Sequence, residues 1–425
     1  MLSNSRRVVF TGIGVLTPIG SDAASFWHSL QAGINGIRAI RAFDPSGLST
    51  RIAGEIPDFD AKSYLDKKER KSLRVMARGI QLAVAAAQLA LDEGKVDKTK
   101  LDPTRFGVEF GAGLLATELQ DIGPASQLSA NGQPGAVDLK KWGEQSLPAI
   151  PPLWMLKYLP NMLACHVSIL HNAQGPNNTI TESDVAPLLA LGEAARILRR
   201  DQADFFLVGG AESKINPLSL VRQCLFGHLS RRNDAPEKAS RPFDRWRDGF
   251  VIGEGAGVLA VEDLEHAQKR GATIYGELLG FGAAFDRGLT GAGLARAIQA
   301  ALRQAGVTPD DIDHVNAHGL SSIHGDIWEA RGLRQLFGER PVPVFSVKSF
   351  IGNLGAGGGL TELAASLLAA RNNLLPRPLN YDEPDPACPV KVEREPRPFK
   401  KPCFLKISMT EMGQAAAVVC RRWDG

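Results

Sequence analysis

At 425 residues, with 44% apolar and 22% charged residues, the chain is long enough to bury a large core, as two domains or as one duplicated unit, and has an ordinary globular balance. Its net charge of +3 gives no argument for nucleic acid, no stretch reaches the roughly eighteen apolar residues of a spanning helix, and the N-terminus carries no signal-peptide pattern. Five scattered cysteines without CxxC spacing (Cys165, Cys224, Cys388, Cys403, Cys420) argue against a disulfide framework and a zinc site, and fit a reducing cytoplasm.

In chain order, residues 8–14 read as a buried strand and 21–32 as a helix capped by Ser21 or Asp22. Residues 79–93 (GIQLAVAAAQLALDE) are alanine-rich and nearly all apolar, the mark of a fully buried helix. A strand at 106–111 precedes a stretch rich in Gly, Pro, Ser and Gln at 122–152, which reads as a long, partner-facing loop. A helix at 186–200 and a strand at 204–209 follow. A comparable series then recurs: strand 257–261, helix 293–305, strand 314–317, helix 326–336, with closing strands at 404–408 and 416–420. Between them, 375–401 carries seven prolines and reads as a second loop. This alternation predicts an α/β protein with mixed sheets, in two related halves, 1–250 and 251–425.

Four segments, spread over nearly the whole chain, resemble the β-ketoacyl-acyl-carrier-protein synthases. They are Arg7-Val8-Val9-Phe10-Thr11-Gly12-Ile13-Gly14 with Thr17-Pro18-Ile19-Gly20; Ala239-Ser240-Arg241-Pro242-Phe243-Asp244 followed by residues 247–257 (RDGFVIGEGAG); Val315-Asn316-Ala317-His318-Gly319 with Gly325-Asp326; and Ser346-Val347-Lys348-Ser349 with Gly352-Asn353. The resemblance implies a thiolase-like five-layer α-β-α-β-α fold and a dimer. It also implies a chemistry. A cysteine at a helix N-terminus attacks an acyl thioester. Two histidines assist decarboxylation of a malonyl thioester, and paired backbone N–H groups hold the oxyanion.

The resemblance also says where those groups should stand, and here the sequence departs from the family. Gly175-Pro176-Asn177-Asn178-Thr179-Ile180-Thr181-Glu182-Ser183-Asp184 looks like the family's strand-to-helix turn, with Asp184 at the nucleophile position and no cysteine within fifteen residues. His318 stands at the first histidine, Asn353 at the second, Lys348 at the lysine, and Glu329 follows at about the expected distance. Leu320 and Ser322 replace threonines, and in Thr410-Glu411-Met412-Gly413 a glutamate, Glu411, falls on the family's gating phenylalanine. The losses fall on the chemistry while the scaffold signatures remain.

Each of these residues has a plainer reading. Asp184 suits a helix N-cap, since Pro187 lies in the first turn of the helix that follows. As a charged group it would repel a malonyl carboxylate. Lys348, if buried, needs a partner, for which Glu329 and Glu411 are available. Asp184 and Glu411, facing one site, would pair with Lys348 and His318 or share a proton. The basic run Lys67, Lys68, Arg70 and Lys71 is either a solvated helix start or the docking surface for an acidic acyl carrier protein. Residues 355–359 (GAGGG) lack the Lys-Ser/Thr of a phosphate loop and read as close backbone packing beside the pocket.

The expectation is a non-condensing subunit like the chain-length factors, paired with a cysteine-containing homologue or with itself. The segment 161–180 would lie near the two-fold, through a strand preceding Gly175. No cofactor of its own and no metal are expected, phosphopantetheine arriving on the carrier. The alternatives are an active synthase with an altered site, and a hydrolase or lyase using Asp184 and His318.

Overall fold

Runs of β-branched and aromatic residues form the strands, and these assemble by repetition. The computed structural model describes residues 6–130, 135–339 and 342–424. The first half contributes β1 (Val8–Leu16), α1 (Ala23–Ala32), α2 (Arg78–Glu93), β2 (Phe106–Ala112), α3 (Leu119–Ser129), α4 (Met162–His171), β3 (Asn177–Thr181), α5 (Ala186–Arg199), β4 (Phe205–Ser213), α6 (Pro217–Phe226) and β5 (Glu254–Asp263). The second contributes β6 (Gly276–Phe285), α7 (Ala292–Ala305), β7 (Ile312–Asn316), α8 (Gly325–Phe337), β8 (Pro343–Phe345), α9 (Gly358–Arg371), β9 (Cys403–Met409) and β10 (Gln414–Arg422).

In space the first half runs β3-β2-β4-β5-β1 and the second β8-β7-β9-β10-β6, which is the same order displaced by one repeat. The signs also repeat. The pairs β2–β3 and β2–β4 are parallel, while β4–β5 and β5–β1 are antiparallel, and their counterparts in the second half match. Antiparallel pairing of Val8, Val9 and Phe10 with Leu278, Glu277 and Gly276 joins the halves into one eleven-stranded sheet, with Lys391–Val392 beyond β8.

Helices α2 and α4 pack on one face of the first half-sheet and α7 on one face of the second, with α8 against α7. Helices α5 and α9 lie between the two half-sheets, completing the five layers. That position explains the composition of α9, whose residues 358–370 are all buried. Each of Leu360, Leu363 and Leu367 removed from water contributes about 1.5–3 kcal/mol. At Gly14 a Cβ would lie 1.9 Å from the Ala86 carbonyl oxygen, so α2 approaches β1 as closely as it does only because no side chain is there.

Of the two residues read as the cap of α1, Asp22 is the one that serves, accepting from the Ser25 N–H at 2.7 Å. Several expectations change. Strand β5 ladders with β1 and β4 and completes the first half, so the seam lies within 264–275 rather than at 250–251. The supposed loop at 122–152 is largely helical, with α3 followed by turns at Leu139–Lys141, Trp142–Ser146 and Leu147–Ala149; residues 131–134 lie outside the described residues. The segment before Gly175 is helix α4; the strand, β3, comes after it and forms the open edge of the sheet. Among the described residues, no helix is long and apolar enough to cross a membrane.

Candidate active site

Ligand sites in α/β sheets gather beyond the carboxyl ends of parallel strands, and here both halves deliver such ends to one place. A cleft of about 770 Å³ is lined by residues 113–117 after β2, 181–184 at and beyond the end of β3, Glu212 and Lys214 at the end of β4, Arg222 on α6, His318 and Leu320 after β7, Asn353 after β8, and 409–412 at and beyond the end of β9. The internal repeat therefore brings together four of the positions singled out in the sequence: Asp184, His318, Asn353 and Glu411, with Leu320 beside them.

Asp184 sits in a single 3-10 turn, Ser183–Val185, between β3 and α5. Ser183 takes φ 51°, a left-handed conformation that costs a non-glycine residue free energy and persists only where the surroundings enforce it. The Ser183 hydroxyl donates to Asp184 Oδ2 at 3.0 Å, while Asp184 Oδ1 is buried with no hydrogen-bond partner among the described residues. The capping role does not hold: Val185 is the N-cap of α5, and no side chain bonds to the helix start.

His318 is buried, its Nδ1 3.3 Å from Lys348 Nζ. Burial, with Lys348 adding to it, holds the imidazole well below its ordinary pKa, so the ring is neutral. Lys348 does not line the cleft; it donates to the His318 carbonyl at 3.0 Å and to Glu362 Oε1 at 2.5 Å. Its partner is thus Glu362, rather than Glu329 or Glu411. Glu362 bridges to a second buried ammonium, Lys406, which also donates to the Ala317 carbonyl at 3.1 Å. Burial brings Lys406 down to about 8 against the pull of Glu362. Burial alone would raise the Glu362 carboxyl, but Lys348 and Lys406 carry it below its ordinary value.

Glu329 lies outside the cleft and organises the histidine loop, accepting from the His318 and Gly319 N–H groups at 2.6 and 2.8 Å. Burial, then Asp326, pushes its carboxyl up to about 7. Ser322 is also buried away from the cleft, its N–H donating to Asp326 Oδ1 at 3.2 Å. Asn353 is pinned by its backbone, donating to the Val251 carbonyl at 2.7 Å, and its Oδ1 accepts from the Gly355 N–H at 3.1 Å.

Sequence reasoning missed Glu212 and Lys214. They are two residues apart at the end of a strand, the spacing that sends both side chains to one face, and that alternation was the available signal. Glu212 lies 3.5 Å from Lys214 and accepts from the Ala356 N–H at 2.7 Å. Gly355 permits this approach: at φ 57° its Cβ would fall 2.0 Å from Glu212 Oε2. Burial raises the Glu212 carboxyl, and Asp184 adds to the rise against Lys214 and the Ala356 N–H. Burial would lower the Lys214 ammonium, but Glu212, Asp184 and Glu411 together hold it above its ordinary value. Lys214, with Arg222, thus stands on the cleft side with Asp184 and Glu411, where Lys348 does not. Glu411 is exposed at the rim, yet the surrounding walls desolvate its carboxyl enough, with Asp184, to raise its pKa.

Lys67, Lys68, Arg70 and Lys71 are all exposed, before and within the 3-10 turn Arg70–Val75, and none lines the cleft. Among the described residues no group of three or more His, Cys, Asp or Glu side chains is placed to hold a metal ion.

Family models described as the N-terminal and C-terminal domains of beta-ketoacyl synthase match residues 5–267 and 275–382. The chain is 36% identical over 391 residues to 3-oxoacyl-[acyl-carrier-protein] synthase 2 of Vibrio cholerae serotype O1, a match covering 90% of each chain. Among solved structures it resembles a beta-ketoacyl synthase from Burkholderia phymatum STM815, with a TM-score of 0.88 at 30% identity over 98% of this chain and 100% of that one. It also resembles the ishigamide ketosynthase/chain length factor, with a TM-score of 0.86 at 27% identity over 99% of this chain and 100% of the other.

Proposed function

Because the chain belongs to the β-ketoacyl synthase family, we propose that it is a non-condensing, chain-length-factor-like subunit of fatty-acid or polyketide synthesis, which pairs with a cysteine-bearing ketosynthase homologue and helps shape the space for a carrier-borne acyl chain. One observation carries this reading. The cleft at the strand ends has a carboxylate, Asp184, at its strand-to-helix turn, and among the described residues no cysteine lines it. The position read as the second histidine is an amide, Asn353, and four carboxylates, Glu182, Asp184, Glu212 and Glu411, line the cleft with Lys214 and Arg222. An anionic malonyl group meets repulsion there, whereas the decarboxylation step needs an electron-accepting site.

Subunit pairing is supported by the face around β3. The strand is exposed along an open edge, a geometry that proteins cover or pair. Helix α4, which packs against β3, exposes Ile169. Around the strand lie buried polar atoms without partners among the described residues: Glu109 Oε2 on the neighbouring β2, His166 Nε2 on α4 and Thr179 Oγ1 on β3 itself. Orphaned polar atoms and an exposed apolar side chain around an open strand edge suit a surface that is completed by another subunit. The acyl carrier protein is the proposed third member. It brings the phosphopantetheine arm to the pair, and Lys67, Lys68, Arg70 and Lys71 offer its acidic surface a cationic counterpart.

The test is a condensation assay with acyl and malonyl thioesters on the carrier. The purified chain alone gives no β-ketoacyl product above a heat-killed control, and product forms when the cysteine-bearing homologue is added. Product from this chain alone would overturn the reading.

A further inference from the structure

We propose that Ser183 is an acyl acceptor, its hydroxyl taking the acyl group of a thioester bound in the cleft while Asp184 receives the proton. The proposal rests on the reading above that the chain helps shape the space for a carrier-borne acyl group, and adds to it a covalent site in its own cleft.

The geometry has four parts. Ser183 lines the cleft at the turn from β3 into α5, with its backbone held at φ 51°, the kind of enforced strain that collects at functional turns. Its hydroxyl already donates to Asp184 Oδ2 at 3.0 Å, within the range a general base needs. The second carboxylate oxygen is free of hydrogen bonds: Oδ1 has no partner among the described residues, and Asp184 caps no helix. Finally, the start of the fourteen-residue helix α5 follows directly, and Lys214 lines the same cleft. A helix N-terminus and a cation both favour the negative charge that develops on the carbonyl oxygen.

The step balances without any further reactant. The Ser183 O–H proton passes to the Asp184 carboxylate as Oγ bonds to the thioester carbonyl carbon, and the carbonyl π electrons move onto oxygen. As the tetrahedral intermediate collapses, the C–S bond breaks with its electron pair on sulfur, and the thiolate takes the proton back from Asp184. The products are a Ser183 ester and a free thiol. The acyl group is held but not extended, because extension needs the second decarboxylating histidine, whose position Asn353 occupies.

The test incubates the full chain with the hexanoyl thioester of N-acetylcysteamine, followed by intact-mass measurement and peptide mapping. Wild type gains one hexanoyl group on Ser183, stable to neutral hydroxylamine and released by alkali, as an ester should be. Ser183→Ala loses the adduct while keeping the wild-type melting temperature, and Asp184→Asn acquires it about a hundred-fold more slowly. Ser183→Cys serves as the control for access, its thioester being released by neutral hydroxylamine. A labelled Ser183→Cys beside an unlabelled wild type overturns the proposal and leaves the cleft reading standing. If neither is labelled, both fall. An adduct that survives Ser183→Ala also overturns it.

Discussion

The ionic cluster behind His318 and the one beside Asp184 are built from the same kinds of side chain and reach opposite conditions. Behind the histidine, Glu362 binds two ammonium groups, Lys348 and Lys406, each of which also donates to a backbone carbonyl, all three buried. In the cleft, two cations, Lys214 and Arg222, stand among four carboxylates, Glu182, Asp184, Glu212 and Glu411, and Asp184 Oδ1 has no partner among the described residues. Removing charges from water is costly unless their partners are close and well directed. The first cluster meets that condition and stiffens the scaffold. The second falls short of it, which marks the cleft as the region kept for something other than stability.

The sharpest way to break this comparison is Glu362→Gln. It leaves Lys348 and Lys406 buried beside each other without their carboxylate, and stability should fall by about 3–5 kcal/mol in urea unfolding. A loss no larger than that of an exposed pair, about 1 kcal/mol or less, would mean that the cluster is not the support described. Lys214→Met should cost less, about 1–3 kcal/mol, because Glu212 can take a proton and keep the Ala356 N–H. The sign of its pH dependence follows. A carboxyl whose folded-state pKa is raised adds stability below its unfolded value and loses it as pH rises through the folded one. Without Lys214 the Glu212 pKa rises further, so the variant's deficit should be larger at pH 8 than at pH 5.

Glu109 isolates the same principle away from the cleft. It is buried on β2 with Oε2 unpartnered among the described residues, and burial, then Glu193, pushes it from 4.5 up to about 8. Stability owed to its proton should be present below about pH 4.5 and lost as pH rises towards 8. Glu109→Gln should therefore be more stable than wild type at pH 8 and close to it at pH 5 in thermal melts. An equal shift at both pH values would show that the carboxyl does not titrate there. The smallest expected effect is functional: Asp184→Cys alone should leave condensation at background, since Asn353 and Glu411 still occupy the site and residues acting as a unit are not repaired singly.

Much of this was legible in the sequence where local pattern and tertiary role agree. The apolar runs of β1, β2, β4, β9 and β10, and the amphipathic pattern of α7, announce themselves. Strand β3 does not: Asn177-Asn178-Thr179-Ile180-Thr181 is polar because it lies on an open edge. Helix α9 hides for the opposite reason. It is buried all round and opens on glycines, so no periodic stripe appears. The seam was misplaced because β5 continues a single uninterrupted signature while returning antiparallel to close the first half. At the site, motif positions located Asp184, His318 and Asn353, but motif matching says nothing of charges absent from the motif. Lys214 and Glu362 had to be found by their neighbours.

The measurement that bears most directly on the account is co-expression of this chain with a cysteine-containing homologue, followed by native mass analysis and a condensation assay on the purified complex. The account predicts a one-to-one heterodimer whose activity is lost when the homologue's cysteine is replaced and which this chain alone never shows. A stable homodimer of this chain that makes β-ketoacyl product by itself would contradict it.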